Sequence, residues 1–238
     1  MSRLQDELGR LADQYRPDVI ALSEVVQPSK AQLPPLVEYL QKLGYTYNHY
    51  AKMAELPNYW LSGVALCSRL PLSDKQVHII SKNAYAANHG YADREKEVIS
   101  AAVNLPKTRG LKIIVAHPPA IIDSFAQHRI AMRNLDKLIR SEPFAQDTIL
   151  VGDMNEWRFM PGTLKGQITD VMYCRSGSWL HPTWRHNIHR FTPLRLNLDY
   201  IYWNKQSDYC LKNFKVLPST ISDHRPILAN FEYLPQAN

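Results

Sequence analysis

Cysteine is scarce in this chain of 238 residues: Cys67, Cys174 and Cys210 are odd in number and show no C-x-x-C spacing. That excludes a disulfide framework and a cysteine-built zinc knuckle, and makes a reducing, by default cytoplasmic, compartment the expected setting. Long apolar runs are missing as well, and the first ten residues carry Arg3, Asp6, Glu7 and Arg10. Neither a membrane-spanning helix nor a signal peptide is written in this segment, so no membrane contact is expected of it. No internal repeat, low-complexity tract or linker-like shift in composition divides the chain. One domain over residues 1–238 is therefore expected, monomeric by default. What is present is 45% hydrophobic residues, enough for a sizeable core, and a net charge of +6. That mild excess suits an anionic, phosphate-bearing partner without approaching the density of a basic tail.

Leu4, Leu8, Leu11, Ala12 and Tyr15 recur at helical spacing, which predicts an amphipathic helix over residues 3–15, stopped by Pro17. A short β-branched strand follows at 18–22 and a second helix at 33–43. Strands are predicted at 63–67, 98–103, 111–116, 148–151, 198–202 and 227–231, most bounded by Gly, Pro, Asn or Asp, with one further helix over 125–140. Strands outnumber helices, and the order is too irregular for a doubly wound parallel sheet. The pattern implies an α+β sandwich: packed sheets flanked by helices.

Carboxylates recur at the ends or edges of these strands: Glu24, Asp153, Asp199 and Asp223. Taken singly, such acids are usually solvated. Context raises their standing. Gly152-Asp153-Met154-Asn155 sets a carboxylate and a carboxamide two residues apart beyond a buried strand, with a glycine that lets backbone approach closely. Ser222-Asp223-His224-Arg225-Pro226 gathers a carboxylate, an imidazole and a guanidinium in one turn. A hard divalent metal takes oxygen ligands, and an attacking water needs a base oriented by a carboxylate, so these groups suit phosphoester hydrolysis. Arg225 adds positive charge there or serves as a structural pair. His117 ends the strand at 111–116 and precedes Pro118-Pro119.

Read in order, Ala21-Leu22-Ser23-Glu24, Gly63-Val64-Ala65-Leu66-Cys67-Ser68-Arg69, Val115-Ala116-His117-Pro118, the Gly152–Asn155 run, Leu198-Asp199-Tyr200-Ile201 and the Ser222–Pro226 run resemble the successive signatures of the endonuclease/exonuclease/phosphatase superfamily. The resemblance extends from about residue 18 to the C-terminus. It implies a DNase I-like fold of two packed, mostly antiparallel sheets with helices outside and a cleft between converging loops. It implies Mg²⁺ or Mn²⁺ as cofactor, with Glu24 and Asp223 at the metal. Asp153 and Asn155 match the pair that orients or deprotonates the nucleophile, His224 the catalytic imidazole held by Asp199, and His117 a second group on the scissile phosphate. The implied reaction is in-line attack of water on phosphorus without a covalent enzyme intermediate. Family members open with a strand carrying an Asn that supports the metal-site Glu, ahead of a helix like 3–15. Here the sequence starts at that helix, so the domain is expected to be N-terminally shortened and no residue takes that role.

Residues 179–190, with Trp179, Trp184, Arg185, Arg190 and three histidines, are cationic and aromatic. They suit stacking of a base and holding of phosphates, or else form a packed loop over Trp184. A zinc site from His181, His186 and His189 fits no standard spacing. Arg129 and Arg133 lie four apart on the helix after His117, facing the cleft or pairing with Asp136 or Asp123. Arg94 stands in an alternating-charge run that reads as a solvated edge or as a substrate-facing cation. Trp184, Arg185, Arg225 and Arg129 are the candidate substrate contacts. The expected activity is hydrolysis of phosphodiesters, with nucleic acid the substrate that the charge favours. A phospholipid or small-phosphate ester, and a catalytically impaired phosphate-binding module, are the alternatives.

Overall fold

The computed structural model describes residues 2–28, 30–56, 60–82, 95–106, 108, 110–121, 124–141, 147–155, 174–175, 184–187, 193–196, 198–204 and 207–234, with backbone alone at 53–56, 60–61, 141, 174–175, 184–187 and 193–196. Helix α1 (Arg3–Tyr15) begins where the Ser2 hydroxyl accepts the Gln5 N–H and the Gln5 side chain accepts the Ser2 N–H, a reciprocal cap. It ends at Arg16, in the left-handed region at φ 45° just ahead of Pro17. Strand β1 (Val19–Pro28) follows, then α2 (Pro35–Lys42), opened by a proline whose missing N–H would have had no helical partner. Strands β2 (Tyr47–Leu56), β3 (Trp60–Ser68), β4 (Leu72–Ser81), β5 (Lys96–Val103) and β6 (Leu111–Val115) come next. Helix α3 (Phe125–Ser141) crosses over to β7 (Thr148–Asp153). The remaining strands are β8 (Cys174–Arg175), β9 (Trp184–Asn187), β10 (Pro193–Leu196), β11 (Asp199–Trp203), β12 (Tyr209–Val216) and β13 (Ile227–Tyr233).

The three expected helices and all the expected strands are present, and the strand expected over 18–22 runs on to Pro28. Strands β4 and β12 carry no compact apolar run: β4 lies at a sheet edge with Asp74, Lys75, Gln76 and Val77 exposed, and β12 exposes Cys210, Asn213 and Lys215. Their stability comes from pairing with β5 and β13, which local hydrophobicity does not report.

The sheet order β4-β5-β6-β7-β11-β8 is antiparallel except for the parallel pair β6–β7. Facing it lie β1-β3-β2 and the hairpin β12-β13. Among the described residues, the outer edges of β1 and β13 pair with no other strand. Strand β6 shows how the layers are cemented. Ile113 and Val115 point into the core between the sheets, with Val64, Leu66, Ile99 and Ile201, while Ile114 points to the opposite face under Ala131, Leu135 and Ile139 of α3. A strand buried on both faces must read as the continuous apolar run that it is. Trp203 on β11 meets Phe231 on β13 edge-on at 5.6 Å, joining the hairpin to the same core. Ala12, Val37 and Leu40 of α1 and α2 cover the outer face of β1 and β3 through Val25, Ala65 and Cys67. The result is the sandwich expected from the sequence, helices outside two sheets. Among the described residues no helix is long and apolar enough to cross a membrane.

Candidate active site

Strands β6 and β7 end where the antiparallel β11 begins, and the polar groups cluster at that end. The register pairs Asp199 with Asp153 across β11 and β7. The Ala116 N–H donates to Val151 O at 3.0 Å, bringing the end of β6 against β7. Gly152 makes this approach feasible: its φ is 143°, and a Cβ there would stand 2.0 Å from Ala116 O. His117 is thereby delivered beside Asp153. From the facing sheet, β1 breaks register between Leu22 and Val25, with Glu24 at φ 55° in the irregularity. Such a bulge re-aims a side chain, and here it brings the 73% exposed Glu24 side chain to His117, with Oε1 4.0 Å from Nε2. His224 arrives on the turn before β13.

Within the cluster His224 Nδ1 donates to Asp199 Oδ2 at 2.8 Å. Its Nε2 lies 3.7 Å from Asp153 Oδ2, and His117 Nε2 lies 3.8 Å from the same oxygen. The Asn155 N–H donates to Asp153 Oδ1 at 2.8 Å, and Asn155 Nδ2 donates to Pro118 O at 3.0 Å. Asn155 sits at φ 50°, a region asparagine tolerates better than most residues. The site thus joins Glu24, His117, Asp153, Asn155, Asp199 and His224 from both sheets.

The charges are uneven. Asp153 is 6% exposed, and burial together with the Asp199 carboxylate raises its pKa to about 7, against the opposing pull of His224 and the Asn155 N–H. Burial alone would depress His224, but the hydrogen bond and charge of Asp199, helped by Asp153 and Asp223, win and raise it to about 9. At neutral pH His224 is therefore an imidazolium. His117 is buried, and that burial, then Lys96, then His224, holds its pKa well below the ordinary range, so it is a neutral ring.

Ligand atoms of Asp153, Asp199 and His224 lie within 4.8 Å of one another. With His224 an imidazolium bonded to Asp199, the donors left for a cation are carboxylate oxygens, the ligand type that Mg²⁺ and Mn²⁺ take. Glu24 stands next to that set through His117. Asp223 is exposed and accepts from its neighbour Ser222 at 3.3 Å; its charge reaches His224.

Arg225 is half-buried, and its Nε meets no hydrogen-bond partner among the described residues. Arg129 is exposed, its guanidinium 5.7 Å from the Phe125 ring centroid, and Asp136 is taken by Arg140 at 3.0 Å. The backbone of Trp184 and Arg185 lies in β9 against β10, while their side chains, the rest of residues 179–190 and Arg94 fall outside the described residues. Lys96, which the sequence reading did not single out, is buried at the start of β5 and acts electrostatically on His117. Its signal was its place at the site end of a central strand, masked by the alternating charges around it.

The sequence matches the family described as "Endonuclease/Exonuclease/phosphatase family" over residues 1–224. No curated protein matches it. Among solved structures, an endonuclease/exonuclease/phosphatase family protein from Leptotrichia buccalis superposes with a TM-score of 0.72 at 19% identity, covering 98% of this chain and 95% of that one. An endonuclease/exonuclease/phosphatase from Beutenbergia cavernae gives 0.70 at 17% identity; 97% of this chain spans only 66% of that protein's length. The 3′ phosphatase NExo from Neisseria, bound to a product DNA hairpin, gives 0.62 at 17% identity, covering 96% and 94% of the two chains.

Proposed function

Because the chain belongs to the endonuclease/exonuclease/phosphatase family, we propose that it is a divalent-metal-dependent phosphoesterase that hydrolyses phosphodiester bonds, nucleic acid being its substrate class. One observation carries this reading: an imidazolium held by Asp199 and a neutral imidazole each lie within 4 Å of one oxygen of a buried carboxylate whose pKa is about 7. Proton transfer is most effective when the catalytic group titrates near the working pH. Asp153, with Asn155 fixing one carboxylate oxygen, takes the proton of the attacking water as the new P–O bond forms, while the ester P–O bond opposite breaks and its oxygen leaves, taking a proton from solvent. The His224 imidazolium presents Nε2–H to a phosphoryl oxygen as negative charge grows there, and Asp199 holds the ring in place. His117 contacts the phosphate from the β6 side. Glu24 and Asp223 would hold Mg²⁺ or Mn²⁺, which when bound supplies Lewis-acid polarisation of the phosphoryl group.

Nucleic acid is supported by the net charge of +6 and by a similar fold in a protein solved with a DNA product. The test is hydrolysis of bis-p-nitrophenyl phosphate, single-stranded DNA and duplex DNA with Mg²⁺, Mn²⁺ or EDTA, with His224→Ala beside the wild type. The expected result is metal-dependent cleavage that is lost in His224→Ala. Cleavage of the small ester with both DNAs untouched would replace nucleic acid by a smaller phosphodiester. Activity in EDTA equal to that in Mg²⁺ would overturn the metal requirement.

A further inference from the structure

The turn that carries His117 consists of Pro118 and Pro119, two residues without an N–H, so its backbone can be fastened only through its carbonyls. Both carbonyls are taken. Asn155 Nδ2 donates to Pro118 O at 3.0 Å, and His128 Nδ1 lies 2.8 Å from Pro119 O. With the Ala116 N–H on Val151 O, the backbone is pinned on each side of His117 by three different elements: β7, the loop after it, and α3.

His128 is 0% exposed and sits in α3 close to Ala131, Met132 and Leu135, which pack in the apolar core against the sheet. Burial lowers its pKa, so the ring is neutral at pH 7. A carbonyl only accepts, so the single proton lies on Nδ1. Nε2 is then a bare acceptor, and it meets no donor among the described residues. Packing alone would favour an aliphatic side chain here, yet this imidazole has its hydrogen bond on the turn next to His117.

We infer that His128 is a positioning residue for the reaction: through Pro119 O it fixes the Pro-Pro turn, and with it the direction in which His117 presents Nε2 to Asp153 and the substrate phosphate. The inference rests on the phosphoesterase reading of the site for its consequence on turnover, but its geometric content does not. It acts at one remove, since His128 touches neither the carboxylates nor the place of the substrate.

Three substitutions separate geometry from packing. Asn places an amide N–H where Nδ1 is; Gln keeps a donor but carries it one methylene further out; Leu removes it. His128→Leu and His128→Gln are expected to lower kcat about 10- to 100-fold, the usual range for losing a group that orients a site residue, with KM within about threefold of wild type. His128→Asn is expected to restore kcat to within about threefold. A purely structural role predicts instead that kcat follows the thermal midpoint, whichever donor is present. Imidazole ¹⁵N spectra of histidine-labelled protein give an activity-independent reading: His117 signals shift in the Leu and Gln variants and return in Asn, while the remote His49 stays put. If Leu fails to fold, the Gln and Asn pair carries the comparison. Unchanged kcat and unchanged His117 signals in Leu and Gln overturn the inference, as does an Asn variant as impaired as Leu at equal stability. If the wild type hydrolyses none of the esters, the phosphoesterase reading fails and the spectra alone decide whether His128 sets His117.

Discussion

At the scale of single residues, the site holds two ionisable groups that depart from their ordinary behaviour in the same direction for opposite reasons. Asp153 is raised to about 7 because it is buried and faces Asp199; His224 is raised to about 9 because Asp199 outweighs its burial. Removing the Asp199 charge should act on both. In Asp199→Asn, His224 keeps its burial but loses its strongest carboxylate partner, so its pKa should fall from about 9 to the ordinary histidine value of about 6.5 or below. An NMR titration of the ring reads this directly, and a value still near 9 would put its source elsewhere. Asp153 carries a stability consequence with a definite sign. A folded-state pKa of about 7, against about 3.9 in the unfolded chain, means that the folded form binds the proton more tightly. That contribution is fully present below about pH 4 and is lost as pH rises through about 7. Asp153→Asn never ionises and still offers an acceptor to the Asn155 N–H. It should therefore be more stable than wild type at pH 8, by about 1–3 kcal/mol, with the difference shrinking toward pH 4. Hydrolysis should nonetheless drop about 10²- to 10⁴-fold, the share of a general base. Denaturant melts at pH 8 and pH 4.5 decide it: wild type more stable than the variant at pH 8 would mean that Asp153 is not strained by its surroundings.

At the scale of elements, the site depends on how closely two strand ends approach. Gly152→Ala places a methyl group 2.0 Å from Ala116 O at a backbone angle that L-residues avoid, so β6 must retreat from β7 or the Ala116 to Val151 hydrogen bond must break. A loss of about 2–4 kcal/mol is expected in urea unfolding, and any folded protein should show displaced His117 ring signals. A loss under about 0.5 kcal/mol would mean that the strand ends tolerate separation. This glycine was legible in the sequence, since Gly152-Asp153-Met154-Asn155 follows an apolar strand and backbone approach was its expected use. The positions of Asp153 and His117 at the ends of β7 and β6 were legible for the same reason, since buried runs with sharp polar ends announce where they stop, whereas Asp199, expected inside the strand over 198–202, opens β11. The bulge at Glu24 was not legible. The sequence places Glu24 just beyond a strand that stops at residue 22, and only pairing with β3 shows that the strand runs on to Pro28 through the slipped register that turns Glu24 toward His117. Strands β4 and β12 were missed because partner strands, not their own residues, hold them. His128 and Lys96 escaped because their significance lies in what the fold places opposite them: the carbonyl of Pro119 and the ring of His117.

At the scale of the molecule, the groups around Asp153 come from both halves of the sandwich. Glu24 belongs to β1 in one sheet, Asp153 and Asp199 to the other, and His224 to the turn entering β13. A cation bound among these carboxylates would cross-link the two layers, and it would offset the burial and the carboxylate repulsion that raise the Asp153 pKa to about 7. Two linked effects follow. Mg²⁺ or Mn²⁺ should raise the thermal midpoint by mass action, with about 2.7 kcal/mol of stabilisation at a concentration one hundred times the dissociation constant. Binding near pH 7 should also release protons, because the cation pulls the Asp153 pKa down and the half-protonated carboxyl ionises. At pH 9 the Asp153 carboxyl is already ionised and its share of the release should vanish, leaving only the share of His224, which is half-protonated there. Titration calorimetry in two buffers of different ionisation enthalpy measures the proton count, and EDTA should return the midpoint to its starting value. Glu24→Gln removes one oxygen donor's charge without touching Asp153. It should weaken the metal-dependent rise while leaving the metal-free midpoint nearly unchanged, since Glu24 is largely exposed. A metal-induced rise that is the same in wild type and Glu24→Gln would place the cation away from β1 and leave the two sheets without an ionic link at this end.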